Sequence, residues 1–158
     1  MIVATPDLDQ TALRRRGFGV AYRMLGSATA AEEVVEEAMR RLARAGDTVD
    51  DHSAWITTVA TRLSMGARGK VRADAGFLIE HADPVSQVFL IRLERLTPLE
   101  RAAFLLHGVY DYDYRRIAEV VERTEAHCRQ LVAVAARTVC GEGREELPGD
   151  AEVQELAA

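Results

Sequence analysis

The chain has no apolar run approaching the roughly 18 residues that a membrane span requires, and residues 1 to 10 lack a basic start followed by an apolar core. Neither a spanning helix nor a secretory leader is expected, which places the protein in the cytoplasm with no membrane partner. Cysteine is scarce. Cys128 and Cys140 are the two present, and neither joins a Cys-x-x-Cys pair or a zinc-like cluster with His52, His81, His107 or His127. That argues against a disulfide scaffold or a metal site and leaves reduced packing or surface thiols. There is also no glycine-rich phosphate loop and no paired nucleophile and base, so neither enzymatic activity nor a cofactor is expected. Lysine is nearly absent, with Lys70 alone among 20 basic residues. Arginine suits phosphate and guanine contacts, although coding bias gives the same composition.

What is present is enough apolar material, 48% of 158 residues, for one domain or two small ones. A net charge of −5 looks wrong for a nucleic-acid binder until it is located along the chain. Residues 141 to 158 hold six acidic residues against Arg144 alone, which accounts for all of it and leaves the body neutral. Charge therefore does not argue against DNA contact, but a neutral body predicts weak nonspecific affinity and dependence on a partner.

Residues 97 to 139 read as three short helices with a tight turn before the last, the arrangement of a helix-turn-helix. Thr97 caps the first of them, with Pro98 at the first helical position and Glu100 completing a capping box. Ala102, Leu105, Leu106 and Val109 give it one apolar face. Tyr114, Ile117, Ala118 and Val121 repeat that spacing in a second helix, and Glu122-Arg123-Thr124 is short and polar enough only for a turn. Thr124 caps a third helix with Cys128, Leu131, Val132, Ala135 and Val139 inward. That turns His127, Gln130, Ala133, Val134 and Arg137 away from the core, with Arg129 on the flank. In a helix-turn-helix those residues face the major groove, although similar helices occur in domains that never meet nucleic acid.

Upstream, the spacing predicts a helix over residues 9 to 25, with Phe18, Ala21, Tyr22 and Leu25 on one face and Arg14-Arg15-Arg16 as a solvated or phosphate-binding run. A capping box at Thr29-Ala30-Ala31-Glu32 opens a second helix with Val35, Ala38, Met39 and Leu42 inward. A third begins near Ala54, with Ile56, Val59, Ala60 and Leu63 as its stripe. A helix from Asp83-Pro84 carries Val88, Ile91 and Phe89 inward.

Two stretches of this chain resemble one family. The words from Leu93 to Ala102, Tyr114-Arg115-Arg116-Ile117-Ala118-Glu119-Val120-Val121 and Cys128-Arg129-Gln130-Leu131 are similar to the minus-35-reading domain of extracytoplasmic-function (ECF) sigma factors. A response-regulator output module begins in a similar way but would lack the second stretch. In that stretch Ala21-Tyr22-Arg23-Met24-Leu25-Gly26-Ser27, with Glu32-Glu33-Val34-Val35-Glu36-Glu37-Ala38, resembles the segment with which sigma factors grip RNA polymerase.

The resemblance implies an all-α chain of two small helical domains joined by a short linker, the second a helix-turn-helix. Residues 1–72 would form the polymerase-binding and minus-10-reading domain, 73–83 the linker, 84–140 the minus-35-reading domain and 141–158 a disordered acidic tail. Glu32, Glu33, Glu36, Glu37 and Arg40 would dock on core RNA polymerase. Asp47, Asp50 and His52 would recognise a flipped base of the minus-10 element, and Trp55, Arg62, Arg68, Lys70 and Arg72 would contact the opened strand. Trp55 has an equal reading as a core tryptophan. Thr124, His127, Arg129, Gln130, Ala133 and Arg137 would meet the minus-35 element of promoter DNA.

The chain departs from the family pattern in places. Family members commonly carry arginine where Val134 stands and aspartate where Gly66 stands, which keeps open a degenerate sigma-like protein that binds polymerase or a regulator without reading DNA. The sequence does not specify an anti-sigma partner. Leu156-Ala157-Ala158 resembles the end of the tag that directs proteins to the ClpXP protease, a candidate degron beside the plain reading of an inert tail.

Overall fold

Seven α-helices and one short 3-10 turn make up the described part of the chain in a computed structural model, which describes residues 7–67 and 84–141. In order they are α1 (Asp7–Leu25), α2 (Ala28–Ala45), the turn Gly46–Thr48, α3 (His52–Ala67), α4 (Pro84–Glu94), α5 (Pro98–Gly108), α6 (Tyr114–Val121) and α7 (Glu125–Cys140). The expected segments Arg68, Lys70, Arg72, the linker 73–83 and the tail with Leu156, Ala157 and Ala158 lie outside the described residues.

Local chemistry sets the helix ends. Gly26 takes φ +67 and returns its N–H to Tyr22 O at 2.8 Å, closing α1. The chain then re-enters helix at once, and the first extended residue is Ser27, whose Oγ accepts from Ala30 N at 3.2 Å. The cap of α2 is therefore Ser27 and not Thr29, because the left-handed glycine places the serine at the non-helical N-cap geometry. Thr97 and Thr124 cap α5 and α7 as expected, accepting from Glu100 N and His127 N at 3.1 Å each. Asp113 does the same for α6.

Helices α1, α2 and α3 pack as one bundle and α4 to α7 as a second. The apolar core runs without a break from Val20, Met24 and Ala60 of the first to Leu106, Ile117 and Cys128 of the second. A smaller cluster of Leu13, Ala38 and Ile56, with Trp55 and Leu42 against it, closes the far end of the first bundle. Cys128 is fully buried, and that burial holds its thiol above the usual range, so it packs as a small apolar group.

Three expected core positions lie at the surface. On α4, Val88 and Ile91 are 39% and 52% exposed, while Leu93 is buried and Phe89 and Leu90 pack on the core. Four consecutive apolar residues leave the phase of a helix undetermined from spacing, and contact with α5 and α7 selects the other face. Val109 is 43% exposed because it follows the last residue of α5, where the chain turns away.

The turn between α6 and α7 places Glu122 in the left-handed region at φ +57. That conformation costs a residue with a β-carbon about 1 kcal/mol that glycine escapes. Glu122→Gly should therefore raise the thermal midpoint by a few degrees, read by calorimetry, and a lower midpoint would show that the glutamate makes a compensating contact.

Candidate nucleic-acid interface

Helix α7 buries Cys128, Leu131, Val132, Ala135, Thr138 and Val139, as its spacing requires. Arg129, Gln130, Ala133 and Arg137 consequently share its exposed side, with His127 and Val134 half-buried at the margin. Thr124 is occupied as the cap, so its hydroxyl points at the helix end.

Arg129 is held in place from two sides. Its guanidinium carbon lies 5.1 Å over the Tyr114 ring, and its Nη2 is 3.5 Å from Glu125 Oε2. The Tyr114 ring stacks in turn on His107, with centroids 4.7 Å apart and planes 15° from parallel. His107 Nδ1 lies 3.2 Å from Tyr112 O. Cation–π contact and an exposed ion pair are each worth about 1 kcal/mol or less, so they orient Arg129 without locking it.

Among the described residues, those expected at the minus-10 element are spread over the 3-10 turn and α3. Asp50 is exposed and His52 half-buried just before and at the start of α3, and Asp47 lies in the 3-10 turn. Trp55 packs half-buried against the Leu13, Ala38 and Ile56 cluster, in keeping with its reading as a core residue. Arg62 sits ten residues beyond His52, roughly 15 Å along the helix. It reaches across to α6, where Nε donates to Val120 O at 3.0 Å and Nη2 to Glu119 O at 2.9 Å.

On α2, Glu32, Glu33, Glu36 and Arg40 are exposed. Glu37 accepts from Arg41 Nε at 2.9 Å and from Arg40 Nε at 3.2 Å, and these arginines hold its carboxyl below the usual range. Glu36 receives Arg14 Nη1 at 2.6 Å from α1. Arg14 and Arg15 also line a surface groove of about 350 Å³ between α1 and α2 with Phe18, Val35 and Glu36. Arg16, the third of that run, instead turns inward to donate to Thr57 Oγ1 at 2.6 Å.

Periodicity alone did not find the residues that join the bundles. Arg101 is 2% exposed and donates through Nη1 to Met24 O at 2.6 Å and Arg23 O at 3.4 Å, at the end of α1. Tyr110 and Tyr112, in the turn after α5, reach α1 and α3. The one available signal was that Arg101 lies in phase with Leu105 on the apolar face of α5. Among the described residues there is no cluster of metal-binding side chains and no helix long and apolar enough to cross a membrane.

Comparison with known proteins finds two family models that match the chain. The family model described as sigma-70 region 2 matches residues 11–70, and the one described as sigma-70 region 4 matches residues 88–138. The probable ECF RNA polymerase sigma factor SigI of Mycobacterium tuberculosis is 33% identical over 143 residues, covering 76% of this chain and 49% of the relative. The ECF sigma factor SigJ of the same organism is 32% identical over 149 residues, covering 81% and 48%. The chain thus spans about half the length of the curated relatives it matches.

The crystal structure of SigJ superposes with a TM-score of 0.62 over 81% of this chain and 50% of that one. The sigma factor RpoE, solved in complex with the anti-sigma factor NepR from Bartonella quintana, superposes at 0.66 with 15% identity, over 84% and 92%, and supports the helical fold alone. With both sigma-70 regions matched in order along one all-helical chain, the protein belongs to the ECF RNA polymerase sigma factors.

Proposed function

We propose that this chain binds core RNA polymerase through α2 and directs it to promoters, reading the minus-35 element with α7 and the minus-10 element with the turn before α3. The observation that carries this reading is the exposed row of Arg129, Gln130, Ala133 and Arg137 on a capped helix whose opposite side is fully buried. A helix presented in that way can enter a major groove without exposing its core. The role asks no chemistry of the chain itself, since nucleotidyl transfer belongs to the polymerase, and it places the protein in the cytoplasm.

Run-off transcription with purified core polymerase and genomic fragments is the test. Promoter-dependent transcripts are expected. Their absence from a chain that still co-purifies with polymerase would favour the degenerate interaction protein, for which Val134 in place of arginine speaks.

The polymerase contact has its own test. Glu36 and Arg40 are exposed, and the pairs they make with Arg14 and Glu37 lie at the surface, where ion pairs contribute between nothing and about 1 kcal/mol. Glu36→Lys with Arg40→Glu should therefore leave the fold intact and weaken core binding by roughly tenfold or more through reversed charge complementarity. Unchanged co-purification with core polymerase would remove this face from the interface.

A further inference from the structure

We infer that Tyr114 is a positioning residue for base reading: its ring holds Arg129 while leaving the N–H fork to the DNA, and Glu125 is the contact surrendered on binding. The inference rests on the reading of α7 as the minus-35 helix above.

Its basis is a column of rings and charge that crosses α5, α6 and α7. At the foot, Tyr112 is buried, with the Arg116 guanidinium carbon 4.0 Å over its ring. The Tyr112 carbonyl can only accept, so His107 Nδ1, 3.2 Å away, carries the proton and its in-plane N–H constrains the imidazole. That imidazole lies 15° from parallel with the Tyr114 ring, centroids 4.7 Å apart, so the last turn of α5 supports the tyrosine. The backbone beneath Tyr114 is fixed as well. Tyr114 is the first residue of α6, next to the cap Asp113, whose Oδ1 accepts from Arg116 N at 2.8 Å. At the top of the column the Arg129 guanidinium carbon stands 5.1 Å over the Tyr114 ring.

The two contacts of Arg129 make different demands on its guanidinium. A cation–π contact draws charge to a ring face and needs none of the N–H donors. Glu125 does need one, since its Oε2 lies 3.5 Å from Arg129 Nη2, at the outer limit of a hydrogen bond. Guanine recognition requires two parallel N–H donors for O6 and N7. Tyr114 can therefore stay in place while a base is read, whereas Glu125 competes for the same donor. Only one of the two contacts has to be given up. An exposed arginine loses rotamer freedom when it binds, and a ring that already confines it takes part of that loss before DNA arrives. Core packing alone does not call for the ring. Tyr114 is half-buried at the margin of the core, where an aliphatic residue would pack as well but offer no ring face.

The test uses the full chain bound to core polymerase and the genomic fragment that gives the strongest run-off transcript. The readout is the ratio of affinity for that fragment to affinity for the same fragment with its minus-35 element scrambled, which uniform losses do not move. Tyr114→Leu should lower the ratio about two- to fivefold, the equivalent of one surface cation–π contact, and Tyr114→Phe should keep it. Glu125→Gln should leave the ratio unchanged or raise it. In the Arg129→Ala background, Tyr114→Leu should have no further effect. An equal drop in that background, or a phenylalanine variant as poor as the leucine one, would overturn the inference by making Tyr114 a DNA contact in its own right. A ratio that rises in Tyr114→Leu would overturn it by showing that the ring holds Arg129 away from the base. A measurement on the unaltered chain does not depend on how the leucine variant folds. The ring current of Tyr114 should shift the Arg129 side-chain protons upfield of those of other exposed arginines in NMR spectra, and its absence would remove the column. Arg129→Ala with no effect on the ratio would instead overturn the minus-35 reading by Arg129, and the positioning role with it.

Discussion

Arg101→Ala is expected to lower the stability of the folded chain by about 2–4 kcal/mol, the largest effect of any single truncation between the two bundles. The side chain is 2% exposed, and its Nη1 satisfies carbonyls at the end of α1 that have no helical partner. Truncation leaves those carbonyls buried without a charged donor and opens a cavity where the aliphatic stem had packed. Arg92 provides the control, because it performs the same operation inside one bundle, donating to Val139 O at 2.6 Å. If carbonyl capping alone mattered, Arg92→Ala would cost a similar amount. The expectation is that it costs less, since Arg92 joins helices of the same bundle that other contacts already hold together. Urea denaturation read by circular dichroism measures both. Equal losses would show that Arg101 has no special part in joining the bundles.

The contrast between these two arginines also marks where the sequence stops being informative. Thr97, Asp113 and Thr124 cap their helices through residues three positions away, so their role is local, and Thr97 and Thr124 are readable from a few letters. The buried stripe of α7 follows from spacing for the same reason. Arg101 meets a carbonyl 77 residues away and Arg62 one 58 residues away. No periodicity within a helix reports such a partner. The buried threonines Thr57 and Thr61 on α3 escaped for a different reason, since each donates to a carbonyl of its own helix and so enters an apolar interface at little cost. Where several apolar residues adjoin, as from Val88 to Ile91, spacing offers two faces, and only the neighbouring helices choose between them. The resemblance supplied candidate DNA contacts, but it did not foresee that Arg62 would be spent on the other bundle.

If α7 reads the minus-35 element as proposed, Arg129→Ala should weaken binding to that element by about 5- to 150-fold, the equivalent of the 1–3 kcal/mol that a bidentate arginine–guanine contact contributes. The DNA-free chain holds Arg129 by the Tyr114 ring and by Glu125 at 3.5 Å. Both contacts are at the surface, where together they amount to about 1–2 kcal/mol at most, so giving them up does not cancel the gain from a guanine. The variant should also lose discrimination at one base position, which a competition series over single-base changes would reveal. An equal loss on every sequence would make Arg129 a phosphate clamp instead, because phosphate contacts carry no base preference. Val134→Arg tests the same face from the opposite direction. Val134 is half-buried beside Ala133 and Arg137, and its long, partly apolar replacement can lay its stem along the helix and extend its charge outward. Added positive charge beside a phosphate should raise affinity several-fold and steepen its fall with salt by about one phosphate's worth of counterion release. If neither affinity nor salt dependence moves, this side of α7 does not lie along the DNA backbone, and the degenerate interaction protein becomes the better account of the chain.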